Sequence, residues 1–197
     1  MFKPYQEYND KILSHLHKLG LCTQDSKKFQ LYTLNHKQAF MAVEMELGVD
    51  VDELSILHDT DKLVTYGKME KADASKLHKK YARHHFKNCL TDADYAQCVI
   101  DYECARFTKS DKPLNAYEHI MKFKISYYDT LKPSLQKLGL DGGSNLSNAF
   151  SRWNHLDKRL LKRYIDMNME AISSINSVID TYGKDETIRM FYAGDLN

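Results

Sequence analysis

The stretch DELSILHDTDKLV, residues 52–64, decides the reading of this chain. Acidic side chains open it, with Asp50 or Asp52 near a helix N-terminus, where negative charge suits the helix dipole. One helix is expected over 52–64, carrying the adjacent pair His58-Asp59 and, one turn on, Lys62. Outward from it, helical periodicity dominates. Helices are expected over 5–18, ending near Gly20, and over 26–47. The apolar face of the latter reads Phe29, Tyr32, His36, Phe40, Val43 and Leu47, so one histidine interrupts it. Two more are expected over 72–88 and over 91–107, the second with Thr91 as N-cap. Residues 65–71 and 108–113 read as connections.

The C-terminal half repeats the pattern. Ile120, Phe123, Tyr127 and Leu131 form one stripe, which Lys132-Pro133 should kink or end. Asp141-Gly142-Gly143-Ser144 is a turn. A long final helix carries Leu156, Leu160, Tyr164, Met167, Ala171, Ile175 and Val178 on one face, as core or as partner surface. Only 3 prolines and 8 glycines interrupt 197 residues, which favours long helices over many short strands. The expected fold is all-α, a helical core over residues 1–112 with C-terminal helices over 113–197 packing on it as one continuous domain.

Composition narrows the class of partner. Lys and Arg total 28 against 27 Asp and Glu, a net charge of +1. That leaves no global footprint for nucleic acid or an acidic membrane. The opening MFKPYQEYND lacks the apolar centre of a signal peptide, and no apolar run is long enough to span a bilayer, so a cytoplasmic location is expected. Cys22, Cys89, Cys98 and Cys104 form no C-x-x-C pair, which argues for reduced, mostly buried thiols rather than a zinc knuckle.

Chemistry concentrates in the middle of the chain. Five of the nine histidines lie between His36 and His85. Imidazole and carboxylate are the expected ligands of a divalent transition metal, and Mn, Fe, Co, Ni and Zn all accept them. On a helix, neighbouring His58 and Asp59 point about 100° apart, so they grip one ion only if other helices complete the shell. His36, on an apolar face, and Asp101, on a small-residue face with Cys98 and Ala105, should both point inward. An ion there removes the cost of burying a lone carboxylate. His78 and His85 are seven residues apart, about two turns, so on one helix they share a face, with His84 beside it.

The order His36, His58-Asp59, Asp101 resembles the HD-domain superfamily of metal-dependent phosphohydrolases over about residues 30–107. More closely, it resembles an uncharacterised group of small bacterial and phage proteins within that style. Those show a His-Lys pair, a His-Asp-x-Ser-Lys stretch and a His-x5-His-His run. Here these read His36-Lys37, His58-Asp59-Thr60-Asp61-Lys62, and His78 through His84-His85. Asp61 stands where Ser is usual. The interval from Asp59 to Asp101 is short for the superfamily, so Asp92 and Asp94 are alternative ligands.

The resemblance implies an HD-like helical bundle that binds one or two divalent metal ions. His36, His58, Asp59 and Asp101 would hold the first, and two of His78, His84 and His85 the second, with Asp59 bridging. It implies metal-assisted hydrolysis of a small phosphorylated substrate, a nucleotide or a phosphodiester. Lys62 would contact the phosphate, His84 would protonate the leaving oxygen, and Lys80 and Arg83 would pair with phosphate oxygens. Two other readings share the motif: a non-catalytic nucleotide- or partner-binding protein, and a dinuclear iron oxygenase. The C-terminal helices could also serve an oligomer interface.

Overall fold

A computed structural model describes residues 2–109, 111, 113–147 and 150–196. The chain is all-α, with no strand among the described residues. The helices are α1 (Gln6–Lys18), α2 (Gln24–Leu47), α3 (Glu53–Leu57), α4 (Thr60–Lys68), α5 (Lys71–Tyr81), α6 (Asp92–Thr108), α7 (Ala116–Phe123), α8 (Tyr128–Lys137), α9 (Ser151–Asn154), α10 (Lys158–Tyr182) and α11 (Lys184–Ala193), with 3-10 turns at Phe86–Asn88 and Ile125–Tyr127. No helix among the described residues is long and apolar enough to cross a membrane.

The chain groups into two compact units, each assembled from three segments. One takes residues up to 4, 38–55 and 83–155; the other takes 5–37, 56–82 and 156 onward. This grouping follows the chain back and forth, whereas the sequence reading placed a single boundary near residue 112.

In the first unit, α6 packs against α7 and α8. Val99, Ile120, Leu131 and Leu135 fill the space between them, with Cys89 and Cys98. Thr91 caps α6 as expected. Its hydroxyl accepts the Asp94 N–H, while the Asp94 carboxylate accepts the Thr91 N–H, a reciprocal capping box. The stripe through Ile120 and Leu131 does not lie on one helix: α7 stops at Phe123 and α8 restarts at Tyr128. Pro133 does not end α8, which runs on to Lys137. Of the connection expected over 108–113, residues 110 and 112 lie outside the described residues. The four cysteines are free thiols, Cys22 half-buried and the rest buried.

The second unit is built on α10, which packs against α1, α4 and α11. Its buried face is Leu161, Tyr164, Ile165, Asn168, Ile172, Ile175 and Ile179. The expected face has the right period but is turned about one residue from this one. Apolar residues here come in adjacent pairs (160/161, 164/165, 171/172, 178/179), so periodicity alone allows two phases. Asn168 decides between them, because its amide has buried partners. The helix expected over 72–88 ends at Tyr81, so His78 and His85 do not share a helical face. His78, Lys79 and Lys80 crowd its last turn, where positive charge suits the negative end of the dipole. The connection expected over 65–71 is helical as far as Lys68.

Two positions generate tests of this packing. A Cβ on Gly67 of α4 would stand 2.2 Å from the Leu21 carbonyl oxygen, a backbone atom that cannot swing aside. Gly67→Ala should therefore destabilise the protein by about 1–3 kcal/mol in urea unfolding, the usual range for overpacking. In the first unit, Glu44 is buried and accepts the Ser55 hydroxyl at 2.7 Å. Burial outweighs that hydrogen bond and pushes its carboxyl from 4.5 to about 8. Between these values the folded chain keeps a proton that the unfolded chain releases, so stability falls as pH rises through that window. Glu44→Gln should flatten this part of the stability–pH curve.

Candidate metal centre

The pair His58-Asp59 does not sit within a helix. The helix expected over 52–64 breaks there into α3 and α4, and Asp59 adopts the left-handed conformation at φ +61°. Such backbone costs on the order of 1 kcal/mol or more for a residue other than glycine and persists only where its surroundings impose it.

Hydrogen bonds show what imposes it. In a continuous helix the His58 carbonyl would accept the Lys62 N–H. Instead the Lys62 N–H donates to the Asp59 carbonyl at 3.1 Å, and the Lys37 ammonium donates to the His58 carbonyl. Lys37 also donates to the Ile56 carbonyl at 2.9 Å and to Thr60 Oγ1 at 2.7 Å. The Thr60 hydroxyl passes its own proton to Asn168 Oδ1 at 2.8 Å, so toward Lys37 it can only accept. Asn168 in turn donates to the Ile56 carbonyl at 3.2 Å and the Tyr164 carbonyl at 2.7 Å. Burial pushes the Lys37 ammonium down to about 7, with Asp59 and Asp61 pulling it back up. Its three acceptors each need a proton, so the hydrogen-bonded state is the ammonium.

The break aims the Asp59 carboxylate into a group of imidazoles. His78 Nε2 lies 3.1 Å from Oδ1 and His58 Nε2 3.8 Å from the same oxygen. His36 Nε2 lies 3.9 Å from Oδ2. All four residues are buried. The rings of His36 and His58 are 5.5 Å apart, and Tyr32 stacks on His36. Metal–nitrogen distances of about 2.0–2.1 Å put neighbouring ligand atoms about 3–3.5 Å apart, and each of the three imidazoles lies within 4 Å of a carboxylate oxygen of Asp59. The set has the donors to hold a divalent metal.

His78 is also oriented from behind. Its Nδ1 lies 3.0 and 3.1 Å from the two oxygens of Asp61, and the Tyr192 hydroxyl donates to Asp61 Oδ1 at 2.7 Å. A carboxylate only accepts, so Nδ1 carries a proton toward Asp61, and Nε2 is the nitrogen turned to the Asp59 carboxylate. A metal-binding histidine is commonly held in this way, with a carboxylate on the N–H behind the ring and the other nitrogen turned to the ligand set. Burial would raise the Asp61 carboxyl, but His78 and then Lys62 outweigh it and hold the carboxyl below its ordinary value.

The other expected site residues are placed as follows. The Lys62 ammonium sits 2.8 Å from Asp59 Oδ2. Burial works against its charge, but Asp59 outweighs it and holds Lys62 above the ordinary lysine value. Lys80 is exposed and pairs with Asp185 at 2.7 Å. Arg83 pairs at 2.8 Å with Asp94, the carboxylate of the α6 capping box. His84, His85 and Asp101 belong to the first unit, where the His84 and His85 rings lie 4.8 Å apart and Asp101 is half-buried in α6. Sequence reasoning missed Lys37, Asn168, Asp61 as an orienting group, and Tyr192. The available signals were Asn168, a polar residue inside the apolar run of α10, and Asp61, a second carboxylate two positions after Asp59.

No protein-family model, no curated protein and no solved structure matches the chain.

Replacing Asp61 tests the orienting role. Asp61→Asn and Asp61→Ser should each weaken metal binding about 10–100-fold, measured by competition with a chromophoric chelator. The low Asp61 carboxyl contributes stability that is present above 3.8 and lost as pH falls through its folded value. Asp61→Asn should therefore also reduce the acid-side fall in stability.

Proposed function

We propose that this protein is a metal-dependent phosphohydrolase acting on a nucleotide or phosphodiester substrate. The observation that carries this reading is the convergence of His36, His58 and His78 on the Asp59 carboxylate, with Lys62 on Oδ2 beside His36. The likeness to HD-domain enzymes supplies the reaction class; the geometry supplies the donors.

In this reading His36, His58, Asp59 and His78 would hold the ion. A divalent ion bound there would make water acidic enough to act as a nucleophile near neutral pH. The chain's own groups do the rest. Asp61 and Tyr192 keep His78 in its ligating tautomer. Lys62 keeps its proton throughout the physiological range and offers a fixed positive charge beside Asp59, the kind that stabilises developing charge on phosphate oxygens. His84, in the likeness, delivers the proton to the leaving oxygen. The likeness also enlists His85 and Asp101 as ligands, and Lys80 and Arg83 as phosphate contacts.

Asp59→Ala decides the reading. The variant should keep its helical spectrum and cooperative unfolding, lose stoichiometric metal by elemental analysis, and lose hydrolysis of a chromogenic phosphodiester by at least about 10³-fold. Wild-type protein that takes up none of Mn, Fe, Co, Ni or Zn would overturn it. His84→Ala, His85→Ala and Asp101→Ala, read by metal content, check the remaining ligands.

A second reading has one observation in its favour. Lys62, Lys80 and Arg83, the three cations expected at phosphate, are engaged by Asp59, Asp185 and Asp94. A non-catalytic nucleotide-binding protein would show saturable binding without turnover in any of the five metals.

A further inference from the structure

We infer that Lys37 is a positioning residue of the candidate metal centre: its ammonium stands in for helix N–H groups at the Ile56 and His58 carbonyls and so fixes the left-handed turn that aims Asp59 at the imidazoles. The inference rests on the metal-binding reading for its consequence, but its structural core does not depend on it.

Three observations carry it. First, Lys37 is fully buried, and such a lysine is tolerated only when its donors are satisfied. All three are, and every acceptor lies on the five residues from Ile56 to Thr60. The side chain grips that segment and nothing more distant. Second, the segment is where the helical pattern fails. Lys62 bonds to the Asp59 carbonyl in the tighter i to i+3 pattern, which frees the His58 carbonyl for Lys37. A side chain that took these carbonyls from a continuous helix would produce such a break. Third, the grip is braced from α10. Thr60 accepts from Lys37 and donates to Asn168, and Asn168 returns to the Ile56 carbonyl. The loop is closed, so the direction of every proton in it is fixed by the lysine at its start.

Lys37 touches neither the imidazole nitrogens nor the Asp59 carboxylate in any of these bonds. It acts through the backbone. Its neighbour His36 faces Asp59 from the same turn of α2, so one turn of α2 presents a candidate ligand and the clamp that positions two others. This gives the adjacent pair His36-Lys37 a physical purpose, one residue facing Asp59 and the other holding the segment that carries it.

The test compares Lys37→Met, which keeps length and apolar volume but removes all three donors, with wild type. Two readouts are taken. In metal-free protein, hydrogen exchange of the amides of residues 58–62 should accelerate at least about tenfold in Lys37→Met, while amides in the middle of α10 keep their protection. With Co(II), affinity should fall about 10–100-fold and the visible d–d band should change shape, as expected when ligands lose their orientation. Thr60→Val, which removes the relay but leaves Lys37 in place, should shift both readouts in the same direction by less. It also serves as the deciding variant if Lys37→Met does not fold. Unchanged exchange over 58–62 in the variant would overturn the inference. If wild-type protein binds no Co(II), the metal reading fails, and the exchange result alone decides the role of Lys37. If wild type binds Co(II), and the variant binds it equally well with the same band, the positioning role fails while the metal reading survives.

Discussion

Burying an ammonium costs several kcal/mol unless each of its protons finds an acceptor, and Lys37 meets that condition in one place only, the carbonyl-rich segment from Ile56 to Thr60. The rest of the second unit follows from this pairing. The segment cannot continue as helix while its carbonyls face Lys37, so α3 stops, Asp59 turns left-handed and α4 starts afresh. Asn168, needed to hold Thr60, makes α10 bury a polar side chain, and that choice sets which face of α10 meets the unit's core. A strained residue, a broken helix and a rotated helix thus share one cause.

The same constraint separates what could be read in the sequence from what could not. His36, His58 and Asp59 are legible because imidazole and carboxylate are rare inside apolar helices and their order is distinctive. The N-cap Thr91 is legible because capping is a local matter of one hydroxyl and the residue three positions on. The break at Asp59 is not, because its cause lies 22 positions earlier in a lysine that, by composition, belongs on the surface. Asp61 and Tyr192 escape for a related reason: a carboxylate at position 61 and a hydroxyl at position 192 meet only once α11 is placed. The end of α5 was within reach, since the positive charge in its last turn is a local signal that the longer histidine pattern obscured.

Charge balance links the clamp to the proposed chemistry. Four charged side chains meet at the centre of the second unit: the carboxylates of Asp59 and Asp61, and the ammoniums that Lys37 and Lys62 carry in their hydrogen-bonded state. These four cancel, two against two. The buried group is therefore compatible with folding before any ion arrives, which a cluster of uncompensated carboxylates would not be. A divalent cation added to that balance leaves the centre two charges positive. An electropositive buried site favours an anionic ligand, and at low effective dielectric that preference is strong. A Ser at position 61 would remove one negative charge from the count. The carboxylate found here instead offsets the second lysine and sets the His78 tautomer. This double use accounts for why Asp61 and Lys37 belong to one design: the clamp that aims Asp59 brings a buried positive charge, and the group that orients His78 supplies the negative charge that balances it.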